Sequence, residues 1–245
     1  MNAHRFVSKI GNALQQSKQL VGLSAASAGR PVKKLEHGFF EVDNWAISKF
    51  IVDKLVPVVG VHPFPLSEQQ LLAAATCWFR PTHIFEWGTH IGKSARIFYE
   101  TCQMFDIPAD INSIDLPNKS DHNEHPGEQR GMLVRELSSV HLHLGDGLET
   151  AMKIAQQLTP DARLLFFLDG DHSYESVKRE LSSIVQAYPR AAILLHDTFF
   201  QKPESGYNVG PFQALHEILG TVPGKYCEVA MSTGLPGMTF IYPTP

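Results

Sequence analysis

The 245-residue chain holds only three cysteines, Cys77, Cys102 and Cys227, and no CxxC pair. That argues against a disulfide-stapled scaffold or a cysteine-based zinc ribbon. The three are expected to be reduced, mostly buried thiols of a cytoplasmic protein. No apolar run reaches the roughly 20 residues that cross a bilayer, and the N-terminus lacks the apolar core of a secretory signal. Positive charge is not in excess: Lys and Arg number 21 against 25 Asp and Glu, a net charge of -4. The bulk field that a nucleic-acid binder uses is therefore missing. Internal repeats and low-complexity tracts are absent too, which leaves an ordinary globular chain. At 43% hydrophobic and 19% charged residues, it can bury a core of normal size.

Acids are missing from one stretch altogether: none precedes Glu36. Residues 1–36 instead carry Arg5, Lys9, Lys18, Arg30, Lys33 and Lys34, with Phe6, Val7, Ile10, Leu14 and Val21 at roughly helical spacing. This reads as a basic amphipathic extension that covers its own domain or a second subunit of a homodimer. A membrane-surface helix and an organellar transit peptide are the competing readings. Residues 37–245 form the second region. It opens with a helix from Asp43 to Leu55, with Trp45, Ile47, Phe50, Ile51 and Leu55 on one face and Val56-Pro57 ending it. A second helix runs from Glu68 to Phe79 with Ser67 as N-cap.

A βα alternation comes next. Strands are expected at His83–Glu86, Ile111–Asp115, Val140–Leu144, Leu164–Leu168 and Ala192–Leu195. Helices are expected at Lys93–Met104, Glu128–Leu137, Glu149–Gln157, Tyr174–Ala187 and Val209–Leu219. Most of these strands are apolar throughout, as in a sheet covered on both faces. The class is therefore α/β, a doubly wound, mostly parallel sheet. Tyr226–Met231 and Met238–Tyr242, split by a Gly- and Pro-containing turn, add a terminal antiparallel hairpin and bring the sheet to seven strands.

The first strand runs into Glu86-Trp87-Gly88-Thr89-His90-Ile91-Gly92-Lys93-Ser94. Gly88 and Gly92 permit a tight turn at the carboxyl end of a strand, where open α/β sheets bind ligands. The pattern ExGxxxGxS lacks the middle glycine of GxGxxG and is too short for a Walker A loop. An acid two residues before the first glycine suits a cationic ligand better than a pyrophosphate. S-adenosylmethionine, with its ammonium and sulfonium, has that character. Thr89 and Ser94 belong to the same turn. Asp115 ends the second strand, where a carboxylate can accept two ribose hydroxyls. Asp146, in Leu144-Gly145-Asp146-Gly147, can accept from the adenine amine or cap a helix.

The strand Leu164–Leu168 runs into Asp169-Gly170-Asp171-His172-Ser173, and the next runs into His196-Asp197-Thr198. Neighbouring parallel strands would bring Asp169, His172, His196 and Asp197 together. Such a set can hold a divalent cation, which would lower the pKa of a bound hydroxyl. His172 is suited to be the general base. The structural alternatives are that Asp171 and Ser173 cap the adjoining helix and that His196 is a satisfied core histidine. Two long loops at this edge, Pro117 to Gly131 and Gln201 to Gly210, are candidates for shaping an acceptor pocket.

Taken together, ExGxxxGxS, Asp115, Asp-Gly-Asp-His-Ser-Tyr-Glu and Leu-His-Asp-Thr resemble class I S-adenosylmethionine-dependent methyltransferases. The closest likeness is to small-molecule O-methyltransferases of the macrolide-sugar and cephalosporin hydroxylase-type branch. The resemblance spans roughly Phe85 to Thr198. It implies cofactor contacts at Glu86, Gly88 and Asp115, metal contacts at Asp169 and Asp197, and His172 as base. His196 stands where relatives usually have an acid or amide. Magnesium favours all-oxygen ligation, whereas a histidine favours manganese, iron or zinc. The implied activity is methylation of a hydroxyl on a sugar, polyketide or other small metabolite, assisted by magnesium or manganese. Two further readings are a metal-dependent hydroxylase or hydrolase built on Asp169, His196 and Asp197, and a non-catalytic S-adenosylmethionine-binding protein.

Overall fold

The computed structural model describes residues 40–117, 129–199, 208–231 and 234–244. The extension at 1–36 lies outside them, as do His122, His125, Glu128 and Tyr207 of the two loops. All described residues belong to the compact unit Glu36–Pro245.

Seven strands form one sheet: β1 (His83–Trp87), β2 (Asp110–Asp115), β3 (Val140–Leu144), β4 (Leu164–Leu168), β5 (Ala192–His196), β6 (Tyr226–Met231) and β7 (Met238–Pro243). Their order is β3-β2-β1-β4-β5-β7-β6. The first five are parallel, and β7 pairs antiparallel with both β5 and β6. The expected doubly wound sheet with its terminal hairpin is thus the observed architecture. The winding reverses between β1 and β4. There the helices after the two strands leave to opposite faces and open a crevice at the carboxyl ends.

The helices are α1 (Asn44–Phe50), α2 (Val56–Val59), α3 (Leu66–Phe79), α4 (Lys93–Met104), α5 (Gly147–Ala155), α6 (Tyr174–Ala187) and α7 (Gly210–Thr221). A strand's side chains alternate between faces, and β1 shows what that does here. Ile84 joins a core with Leu72, Phe98 and Phe167 on the α3 and α4 side. Phe85 and Trp87 join a second core with Leu148, Leu181 and Ile184 on the α5 and α6 side. Glu86 shares the parity of Ile84 and so faces α4. Strands β1, β4 and β5 are buried almost end to end, while β3 and β6, at the sheet's two edges, are largely not.

Four local expectations need correction. The first helix does not stop at Val56-Pro57. It passes through a π-helical turn, Ile51–Leu55, into α2, whose first turn contains Pro57 and which ends at Gly60. The π turn shifts the hydrogen bonding, with Val56 N–H donating to Ile51 O, and a proline can come next where an unbroken α-helix would clash. Trp45 does not share the buried face of Ile47, Phe50, Ile51 and Leu55; it is 89% exposed. Ser67 is not an N-cap, because α3 starts two residues earlier than expected, at Leu66 behind Pro65. The helix expected over Glu128–Leu137 is, over its described residues, a string of turns. Gly131 sits at φ +64 with its N–H donating to His90 O, and anchoring on the cofactor turn overrides the helical pattern.

Candidate active site

A cavity of about 940 Å³ opens at the carboxyl ends of β1, β2, β4 and β5. Gly88, Thr89, Ser94, Asp115, Asp146, Asp169, His172, His196 and Asp197 all line it. Every sequence-expected site residue except Glu86 and Gly92 therefore reaches one space.

Glu86 is fully buried beneath the turn. Ser94 Oγ donates to its Oε2 at 2.9 Å, Ser113 Oγ donates to Oε1, and Thr89 Oγ1 lies 2.7 Å from Ser113 Oγ. Glu86 thus ties β1, β2, the turn and the start of α4 together; it supports the site and does not line it. Burial pushes its carboxyl up to about 7. An acid whose folded pKa is raised gives stability that is whole below about 4.5 and fades as pH rises through 7. The span of that loss is about 3 kcal/mol. The neutral Glu86→Gln variant should therefore lose less stability than wild type between pH 5 and pH 8 in urea unfolding. Equal pH dependence in the two proteins would refute the burial of a titrating carboxyl here.

The two glycines serve the protein's own packing. A Cβ on Gly88, at φ +94, would stand 2.2 Å from the backbone oxygen of Asp169. One on Gly92, at φ +91, would stand 2.8 Å from Val134. Gly88 brings the β1 turn against the end of β4, and Gly92 opens α4. Gly92 packs against Val134 and is not among the residues that line the cavity.

Asp115 Oδ1 accepts from Leu116 N–H, and Oδ2 accepts from Arg130 Nε at 3.0 Å. Asp146 caps α5 by accepting from Glu149 N–H at 2.9 Å, and its other oxygen pairs with Arg179 at 2.7 Å. Ser173 caps α6, and Asp171 accepts from Ser173 N–H. The capping alternative is observed for Ser173; Asp171 instead holds Ser173 through its N–H and its hydroxyl.

The ends of β4 and β5 carry a charged network. His172 Nδ1 meets Asp197 Oδ2 at 3.0 Å, and its Nε2 lies 3.9 Å from Asp169 Oδ1. Asp197 holds its carboxylate there from a left-handed backbone, φ +57, a conformation that costs energy in a non-glycine residue. Burial pulls the His172 pKa down, but Asp197 and Asp169 together raise it above its ordinary value. His196 is more enclosed, 5% exposed. Its Nδ1 lies 2.8 Å from Asp169 Oδ1, and its Nε2 lies 3.0 Å from Glu68 Oε2. Burial opposes its charge, yet Asp169, Glu68 and Asp197 push its pKa up to about 10.

Glu68 is not among the sequence candidates. It is 2% exposed on α3, and its second oxygen accepts from Gly237 N–H at 2.8 Å. The signal available is an acid early in an otherwise apolar helix, which is costly unless the acid is paired. The sequence also gives no hint of the segment Val61 to Pro65, a wall of the cavity. Gln69 Nε2 pins it through Gly60 O and Phe64 O, and Lys93 Nζ through His62 O. Cys102 is buried, and Cys77 and Cys227 are partly so, all with free thiols. Among the described residues no helix is long and apolar enough to cross a membrane.

Residues 85–198 match the family model of a methyltransferase domain. The fold is similar to the Podospora anserina methyltransferase PaMTH1, solved with SAH bound, at a TM-score of 0.53 and 13% identity over 100% of this chain and 98% of that one. It is similar to an O-methyltransferase from Bacillus cereus in complex with SAH, at 0.56 and 13% over 84% and 93%. It is also similar to the O-methyltransferase TomG of Streptomyces achromogenes in complex with SAM, at 0.52 and 12% over 84% and 92%. A curated relative, the uncharacterized protein y4gI of Sinorhizobium fredii, is 27% identical over 137 residues. That stretch is 55% of this chain and only 15% of the relative's length.

Proposed function

We propose, from the match of residues 85–198 to the family model of a methyltransferase domain, that the protein methylates a hydroxyl of a small molecule, using S-adenosylmethionine. The observation that carries this reading is one cavity at the switch point of the sheet. The β1 turn and Asp115 line one part of it, and the His172 network lines another. The SAH and SAM held by similar folds support the choice of cofactor. Thr89, Ser94 and Gly88 face the cofactor from the turn, and Asp115 is placed for the ribose hydroxyls. S-adenosylmethionine supplies an activated methyl group. Everything else falls to the protein: it aligns the acceptor and removes its proton. Asp197 holds Nδ1 of His172, which leaves Nε2 to take the proton from the acceptor hydroxyl. Sugars and polyketides are the acceptor classes proposed, with Val61 to Pro65 contributing a wall of the cavity. Titration calorimetry with SAM tests the cofactor; no heat of binding at millimolar ligand would end the reading.

A second reading adds a divalent cation at Asp169, His196 and Asp197. One observation favours it: His196 Nδ1 is buried without a well-aligned hydrogen bond, while Glu68 holds Nε2. A carboxylate on the far nitrogen is how proteins commonly orient a metal-binding imidazole. A cation there would lower the pKa of a bound hydroxyl. Against it, no group of three or more His, Cys, Asp or Glu among the described residues is arranged to hold a metal ion. The carboxylates of Asp169, Glu68 and Asp197 favour a protonated His196, and that proton would have to leave. Each of the carboxylates Asp169, Asp197 and Glu68 already meets an imidazole of His172 or His196, so the metal-free route is preferred. Exhaustive chelation should leave turnover within about two-fold. Loss of turnover that is restored by manganese or magnesium would reinstate the cation.

A further inference from the structure

Two loops that border the cavity carry apolar side chains half open to it. Val61 is 53% exposed and Leu235 is 47% exposed, and both line the cavity together with Pro63 and Pro236. A single exposed aliphatic residue is ordinary. These two differ, because consecutive buried residues of α3 fasten the loops that carry them. Gln69 donates its amide to both Gly60 O and Phe64 O, so the chain between them is closed on one side chain. Glu68, next to it, accepts from Gly237 N–H at 2.8 Å and so holds the turn that follows Leu235. A buried polar side chain is costly unless it is bonded. Here the bonds go to loop backbone, and the loops turn aliphatic side chains toward open space.

Both loops are tied to the end of the cavity that holds His172. The ring of Phe64 lies 5.1 Å from that of His196, and His196 lies 6.3 Å from His172, centroid to centroid. Pro236 O accepts from Phe199 N–H and Gly237 O from Thr198 N–H, directly after Asp197. Charge points the same way. Among the described residues, six acidic side chains line the cavity against two basic ones, Lys93 and Arg179. Both bases are engaged: Lys93 Nζ donates to His62 O, and Arg179 meets Asp146 at 2.7 Å. An anionic group on the acceptor would meet a field of its own sign there.

We infer that Val61 and Leu235 select the acceptor, gripping an uncharged apolar skeleton whose hydroxyl reaches His172. Of sugars and polyketides this favours the polyketide, and it disfavours acceptors that carry a phosphate, sulfonate or carboxylate. The inference rests on the methyl-transfer reading and adds to it the class of acceptor and the two side chains that choose it.

The test uses the full-length protein saturated with S-adenosylhomocysteine and three hydroxyl probes: 2-naphthol, its 6-sulfonate and glucose. In calorimetry, wild type should bind 2-naphthol at least roughly ten-fold more tightly than either of the others. Val61→Asn and Leu235→Asn should each weaken 2-naphthol by roughly three- to ten-fold, with thermal unfolding and S-adenosylhomocysteine affinity close to wild type. Val52 is exposed too but does not line the cavity, and Val52→Asn should leave 2-naphthol binding as it was. Failure of wild type to bind S-adenosylhomocysteine would refute the cofactor reading, and the inference with it. With that ligand bound, tighter binding of the sulfonate or of glucose, or binding of no probe at all, would overturn the apolar grip alone. Variants that hold 2-naphthol as wild type does would overturn it as well. A parallel loss of S-adenosylhomocysteine would set the two side chains against the cofactor instead of the acceptor.

Discussion

Replacing His172 with alanine is expected to lower kcat roughly 100- to 10,000-fold, the usual worth of a positioned general base. Affinity for S-adenosylmethionine should stay within about three-fold of wild type. His172 is held from the β5 side, by Asp197 at 3.0 Å, whereas the Gly88 turn and Asp115 approach the cavity from β1 and β2. On the proposed mechanism the variant removes the group that takes the acceptor's proton and leaves the cofactor side standing. Asp197→Asn should show a smaller loss, because it keeps the shape but weakens the hold on Nδ1. Calorimetry with SAM and a turnover assay on one accepted substrate separate the two effects. Turnover of the His172→Ala protein within three-fold of wild type would remove His172 from the chemistry. A parallel loss of SAM affinity would instead make it a structural prop of the cavity.

The second large effect is structural. Gly88→Ala should destabilise the protein by about 3 kcal/mol or more and abolish cofactor binding at micromolar concentrations. Two costs combine at this position. A side chain at φ +94 is strained, and its Cβ would stand 2.2 Å from the backbone oxygen of Asp169, which cannot yield without moving the end of β4. Gly60 supplies the comparison. It has a similar φ, +73, but a Cβ there meets nothing within 4 Å. Gly60→Ala should carry the strain alone, about 1–3 kcal/mol. Guanidinium unfolding of both variants against wild type measures the difference. Equal costs at the two positions would mean that the contact between the β1 turn and Asp169 is not tight.

Much of the fold is legible in one dimension because its signals are strong and local. Leu164–Leu168 is apolar at every position, and only a strand covered on both faces has a use for that. Tyr174–Ala187 comes after Ser173 with a helical apolar period, and both bounds and cap are as expected. The acids after β2, β4 and β5 stand where an open parallel sheet places ligand-binding groups. Other features are out of reach for physical reasons. Glu68 and His196 are 128 residues apart, and their 3.0 Å contact exists only because α3 covers the end of β5. Glu86 has the position of a ligand contact, since it precedes the glycine. Its parity on β1 turns it instead toward α4 and the serines at 94 and 113. Pro57 has the character of a helix stop, but one π-helical turn upstream absorbs it.

The order of elements, the parallel sheet with its antiparallel end, and the row of acids and imidazoles along one edge follow from the sequence alone. They depend on period, turn residues and apolar runs, which neighbours along the chain settle among themselves. Which of those edge residues face the cavity, and which are spent on the protein's own helices and backbone, was decided only by tertiary packing. A carboxylate's role depends on what donors reach it, and those donors arrive from other elements: Ser94 and Ser113 to Glu86, Arg179 to Asp146, His172 to Asp197.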